Sequence, residues 1–196
     1  MRARTMMLVA ALVLGAAAPV AAQGSVSRPE PLEVGAVAPD FELPGATRYG
    51  VLRDPVRLGD FKGKTVVVAF FPKARTRGCT IQMHTYRDRY AELFRGGREI
   101  VLIAISADPV EELAAWARDD EFPFLMASDV GLEVAGKYGA QSGRPGIAAR
   151  NLFVIGPDGR IAYRAAPFRE IDPQAYEELA AAIDRLVPKA AIEAGD

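Results

Sequence analysis

The chain has 196 residues, half of them apolar, and a formal net charge of −1. That length can bury one substantial core, and the near-balanced charge argues against a general nucleic-acid binder, which needs a basic face. A single cysteine cannot make an internal disulfide, so oxidising surroundings are not used to staple the fold. Residues 1–22 read as a cleaved signal peptide. Arg2 and Arg4 form a positive n-region, residues 6–19 an apolar run too short to span a bilayer comfortably, and Val20-Ala21-Ala22 a small-residue cleavage site. The mature chain is expected to begin at Gln23, which is not the cysteine of a lipoprotein anchor, and there is no twin-arginine pair. An uncleaved anchor is the alternative; no later segment is long and apolar enough to span. The expectation is export, to a bacterial periplasm.

Residues 23–33 read as a flexible polar lead, 34–187 as one domain and 188–196 as a frayed tail. Residues 44–55 suggest a loop with some strand character, followed by the first core strand, an apolar run at 65–71 bounded by charged residues and Gly. Beyond Cys79 the period changes. Met83, Tyr86, Tyr90, Leu93 and Phe94 fall three or four apart, on one helix face. Cys79 therefore lies at a strand-to-helix junction, where free backbone N–H groups and the positive end of the helix dipole collect and a thiol is most easily held as thiolate. A second buried strand is expected at 100–105. Asp108-Pro109-Val110-Glu111 then predicts an N-cap, a proline at the first helical position and a capping-box glutamate. Val110, Leu113, Ala114 and Ala117 form that helix's apolar stripe, with Trp116 as packing. A short strand at 124–127, a helix at 129–138 stopped by Gly139 and a loop at 140–146 follow. Strands at 151–155 and 161–164 flank the hairpin signal Gly156-Pro157-Asp158-Gly159. Asp172-Pro173 caps a last helix with Tyr176, Leu179, Ala180, Ile183 and Leu186 on its inner face, stopped by Pro188. Strands alternating with helices indicate a single α/β domain.

Lowering a thiol pKa from about 8.5 to about 6 takes roughly 3.4 kcal/mol. A helix N-terminus supplies about 0.5–2 kcal/mol of that, so a cation from elsewhere must supply the rest. Without one, a lone cysteine is a small, inert, buried hydrophobe.

Pro72, Thr76 and Cys79, in the spacing Pro-x-x-x-Thr-x-x-Cys, resemble the active-site signature of the peroxiredoxins, the thiol-specific antioxidant family. The wider string Phe70-Phe71-Pro72-Lys73, Thr76, Gly78-Cys79-Thr80, continued by Tyr86-Arg87-Asp88, is most similar to the bacterioferritin-comigratory-protein subgroup. The opening Gly35-Ala36-Val37-Ala38-Pro39-Asp40-Phe41 resembles the start shared by peroxiredoxins and their thioredoxin-like relatives. The resemblance spans about 34–187 and implies a thioredoxin-like α/β fold, a mixed central sheet flanked by helices.

The residue types suit the implied chemistry. Pro72 fixes the backbone before the pocket and keeps water off the sulfur. The Thr76 hydroxyl can both donate and accept, bridging thiolate and peroxide. Gly78 lets backbone N–H groups approach the substrate. Arg150, in Arg150-Asn151-Leu152-Phe153, resembles the family's arginine that precedes a strand and points at the sulfur; it is the cation that the energy estimate requires, and its guanidinium keeps donors free for a peroxide oxygen. At least two of Arg75, Arg77 and Arg87 are expected to be surface charges.

Two positions depart from the resemblance. The sole histidine, His84, stands five residues after Cys79, where the subgroup often has a resolving cysteine. It lies roughly 140° round the helix from Cys79, a poor place for a general base, and is expected on the helix surface. Gln82 stands where many peroxiredoxins have a glutamate that helps hold the arginine; it can accept a hydrogen bond but carries no charge. One His and one Cys without clustered carboxylates make no metal site, and no metal, flavin or haem is implied. The implied activity is a thiol-dependent peroxidase with a single peroxidatic cysteine, acting on hydrogen peroxide or organic hydroperoxides and reduced by an external thiol, whether thioredoxin-like, glutaredoxin-like or small. A homodimer stays open. The alternatives are a thiol–disulfide oxidoreductase, disfavoured because Cys79 opens no Cys-x-x-Cys pair, and a non-catalytic thioredoxin-like binding module.

Overall fold

The computed structural model describes residues 29–187. The chain runs β1 (Glu42–Leu43), β2 (Gly45–Thr47), β3 (Gly50–Val51), β4 (Val56–Arg57), β5 (Thr65–Phe70), α1 (Arg77–Asp88), α2 (Tyr90–Leu93), β6 (Ile100–Ser106) and α3 (Val110–Asp119). It continues through β7 (Leu125–Ser128), α4 (Glu133–Lys137), β8 (Gln141–Arg144), β9 (Ile147–Ala148), β10 (Leu152–Ile155), β11 (Ile161–Ala165) and α5 (Pro173–Leu186). Seven strands form one sheet in the order β11-β10-β5-β6-β7-β2-β3. β5, β6 and β7 are parallel, whereas β10 and β2 run antiparallel to their neighbours, so the sheet is mixed.

The central strands are covered on both faces, which is why they read as unbroken apolar runs rather than alternating ones. In β5, Val67 and Ala69 enter the core shared with α1, α3 and α5, while Val66, Val68 and Phe70 enter the core on the other face. β10 divides likewise, Leu152 and Val154 against Phe153 and Ile155. Trp116 and Phe168 are buried in the first core, whereas Tyr49 is exposed.

Several local expectations are corrected. The stretch 44–55 holds the β2–β3 hairpin on the sheet edge, and 140–146 holds most of the separate β8–β9 hairpin. The helix after Cys79 breaks at Arg89 (φ −104°, ψ 19°) into α1 and α2, although Tyr86, Leu93 and Phe94 remain buried together. The helix expected at 129–138 is the shorter α4, because Asp129 stands ahead of it as a cap: its carboxylate accepts the N–H groups of Glu133, Val134 and Ala135 at 3.0, 3.3 and 2.8 Å. Asp172 caps α5 as expected, accepting from Gln174 N at 3.0 Å, with Pro173 as the first helical residue. Asp108 does not cap α3. Pro109 holds the N-cap position, with no side-chain cap bond, and the Asp108 carboxylate turns elsewhere. Among the described residues no helix is long and apolar enough to cross a membrane. The expected leader, 1–22, and the tail with Pro188 lie outside the described residues.

Candidate active site

Antiparallel pairing makes the site. Leu152 opposes Ala69 in the β10–β5 register, and Phe70 N donates to Asn151 O at 2.8 Å. The residue before β10 is thereby carried beside the end of β5, where the chain turns into α1. That turn is held by Asp108, which is almost fully buried. Its Oδ2 accepts from Ala74 N at 2.7 Å and from Ser106 Oγ at 2.9 Å, and Lys73 Nζ lies 3.5 Å from Oδ1. Arg75 takes a left-handed backbone (φ 59°), a conformation that costs a non-glycine residue about 1–2 kcal/mol. Asp108→Ala leaves the Ala74 N–H buried without its acceptor and is expected to cost about 1–3 kcal/mol in urea unfolding. Asp108→Asn, which keeps an acceptor oxygen, is expected to cost less.

The turn delivers Cys79 as the third residue of α1, fully buried, within the set of first-turn amides that have no partner inside the helix. Arg150 Nη2 donates to its Sγ at 3.5 Å across 71 positions of sequence. The guanidinium is held on two further sides. Nη1 donates to Gln82 Oε1 at 2.5 Å, and Nε lies 3.1 Å from Glu170 Oε2. Arginine has no acceptor, so Gln82 must turn its oxygen toward Arg150; its Nε2 then donates to Tyr86 Oη at 2.9 Å. Burial pushes the Tyr86 phenol up, so it stays a neutral partner in this row. A nucleophile at a helix N-terminus, touched by a cation and shielded from water, can attack an electrophile and have developing negative charge met by fixed donors.

A family profile described as the AhpC/TSA family matches residues 34–164. The chain belongs to the AhpC/TSA family, the peroxiredoxins. It is 36% identical over 137 residues to a putative peroxiredoxin in the rubredoxin operon of Clostridium pasteurianum, covering 66% of this chain and 76% of that one. It is 34% identical over 137 residues to peroxiredoxin Bcp of Escherichia coli K12, covering 67% and 83%, so the bacterioferritin-comigratory-protein resemblance fits. Among solved structures, peroxidoxin BcpB from Mycobacterium tuberculosis superposes with a TM-score of 0.68 at 28% identity, covering 79% of this chain and 98% of that one.

The remaining expected residues of this peroxiredoxin can be placed. Pro72 is half-buried at the start of the turn. Thr76 is the backbone N-cap of α1; its hydroxyl donates to Lys73 O at 2.9 Å, which leaves its lone pairs as acceptors. Gly78 lies directly under the Arg150–Glu170 pair: a Cβ there would stand 2.5 Å from Glu170 Oε1 and 3.0 Å from Arg150 Nη2. Arg75 and Arg77 are exposed. His84 is half-exposed rather than a plain surface residue, its Nε2 2.9 Å from Asp120 Oδ2 and its ring edge-on to Phe122. Burial pushes the Asp120 carboxyl up, but hydrogen bonds from His84 and Trp116 outweigh this and hold it below the ordinary range. Glu170 and Asp108 were not expected at the site. Glu170 sits among Arg169, Asp172 and Glu178, which pair with one another at the surface, so no local signal sets it apart.

Proposed function

We propose that this peroxiredoxin is a thiol peroxidase that reduces hydrogen peroxide or organic hydroperoxides through Cys79 alone and takes its electrons from an external thiol. The observation carrying this reading is the 3.5 Å approach of Arg150 Nη2 to Cys79 Sγ at the first turn of α1. Cys79 thiolate attacks the terminal peroxide oxygen; an S–O bond forms as the O–O bond breaks. The electron pair leaves on the second oxygen as hydroxide or alkoxide, which takes a proton from solvent. Arg150 and the first amides of α1 face the charge that develops on that oxygen, Thr76 accepts the peroxide O–H, and Pro72 keeps water from the sulfur. Gly78 leaves the backbone open to the substrate. The product is a sulfenic acid.

No second cysteine exists in the sequence to trap it. One external thiol therefore condenses with the sulfenic acid, releasing water and leaving a mixed disulfide. A second thiol cleaves that bond, returning Cys79 and an external disulfide. We extend the proposal to location: residues 1–22 direct export to the periplasm and are removed after Ala22, supported by the charge and hydropathy of that segment.

One experiment addresses both parts. The full-length chain is expressed with its leader, purified, and mixed with one equivalent of hydrogen peroxide, and its intact and peptide masses are read. The expected result is a chain beginning at Gln23 with one oxygen added at Cys79. An unprocessed N-terminus sinks the export proposal. A Cys79 that forms only mixed disulfides with thiol partners marks an oxidoreductase instead, and an unreactive Cys79 a binding module.

A further inference from the structure

We infer that Glu170 is the positioning residue for Arg150, fixing the direction in which the guanidinium presents its donors to sulfur and peroxide. The inference rests on the peroxidase reading of Cys79 and Arg150.

An arginine side chain has many rotamers to lose, and a planar guanidinium is aimed only when more than one of its nitrogens is held. Gln82 holds Nη1 and Glu170 faces Nε at 3.1 Å, so the plane is set from two sides and Nη2 is left pointing at Sγ. Of the protein groups around this guanidinium, Gln82 is neutral and Tyr86 a neutral phenol, so Glu170 supplies the fixed counter-charge. Arg150 is only 13% exposed, and a buried cation without a partner is strongly destabilising.

Glu170 is itself pinned. Phe168 N donates to Arg150 O at 2.7 Å, and Tyr176 Oη donates to Glu170 O at 2.8 Å. The Phe168 ring is buried edge-on to Tyr176 with centroids 5.2 Å apart. The connection from β11 to α5 is thus tied both to the backbone of Arg150 and to α5, with Glu170 between the ties. Gly78 provides the clearance, since its missing Cβ would stand 2.5 Å from Glu170 Oε1. A bystander role predicts the opposite chemistry. A carboxylate near a sulfur that must ionise works against ionisation, so removing an idle one would leave peroxide reactivity unchanged or raise it.

The test compares two reagents on the same sulfur at one pH: hydrogen peroxide, which uses the aimed donors, and iodoacetamide, which needs only the thiolate. In Glu170→Gln the peroxide rate constant is expected to fall about 10- to 100-fold, the scale for a mis-set catalytic group, while alkylation holds or quickens. Gly78→Ala displaces the carboxylate without removing its charge. It should lower the same ratio, with a melting temperature at or below that of the unmutated chain, because the new Cβ crowds the buried Arg150–Glu170 pair. In an Arg150→Lys background, Glu170→Gln should cost no further peroxide reactivity. A wild-type ratio in Glu170→Gln, equal slowing with both reagents, or undiminished slowing in the Arg150→Lys background each overturns the inference. Failure of the underlying reading looks different: the unmutated protein would alkylate but not react with peroxide.

Discussion

Cys79→Ser protein is expected to consume no peroxide above the buffer rate, with or without added thiol. The loss should be complete because the sequence holds no other cysteine. An alcohol is a far weaker acid than a thiol, and it would need an adjacent base to become a nucleophile. The one histidine is occupied with Asp120 and Phe122 rather than with the site. The variant should still fold: the hydroxyl is nearly isosteric with the thiol, and Arg150 Nη2 remains to donate to it. The burial of Cys79 sharpens the companion expectation for the unmutated chain. Two copies should not join through this sulfur, since it is buried in each of them. Without thiol the protein should therefore stop after one equivalent, as a monomer on a non-reducing gel. Peroxide turnover in Cys79→Ser, or sustained turnover of the unmutated chain without a thiol, would be incompatible with a one-cysteine cycle.

What could be read from sequence follows from which forces are local. The core strands were legible because burial on both faces writes them as continuous apolar runs, and Gly156-Pro157-Asp158-Gly159 was legible because a turn states its own chemistry. Cys79 at the head of α1 was legible from the change of period. Arg150 was not a matter of periodicity; the energy estimate called for a cation and the family resemblance located it. Asp108 carries an N-cap signal that is satisfied differently: the Ala74 amide, 34 positions away, takes its carboxylate, and no local pattern distinguishes the two uses. Asp129 differs in the same direction, since its carboxylate reaches N–H groups four to six residues ahead and stands before a shorter helix than the sequence pattern suggests. The hairpins at 44–55 and 140–146 are built from strands of two to four residues, too short for alternation to register. Gln82 looked like a missing charge. In the folded chain the charge comes from Glu170, a residue distant in sequence, and Gln82 contributes what an amide can, an acceptor to Arg150 and a donor to Tyr86.

Arg150→Ala is expected to slow peroxide reduction by orders of magnitude, and more than the loss of one donor would suggest. Removing a single preorganised donor from a developing oxyanion costs about 10²–10³ in rate. Here the same substitution also removes the cation beside Cys79 and strands two partners. Gln82 Oε1, in a fully buried side chain, loses its donor, which adds about 1–3 kcal/mol of destabilisation. Glu170 keeps its carboxylate close to the sulfur with no counter-charge, so a group that aimed the cation now opposes the thiolate. These contributions separate by a cycle. Arg150→Lys restores charge without the planar fork and should recover only part of the rate. Adding Glu170→Gln to Arg150→Ala should return a further part, because it removes the stranded charge, although the same change in an otherwise unmutated chain slows the enzyme. That reversal of sign is the signature of a carboxylate that works through its arginine. Stopped-flow measurement of Cys79 oxidation in these five proteins checks it, and an Arg150→Ala rate within about threefold of the unmutated chain, under 1 kcal/mol of barrier, would remove the guanidinium from the chemistry.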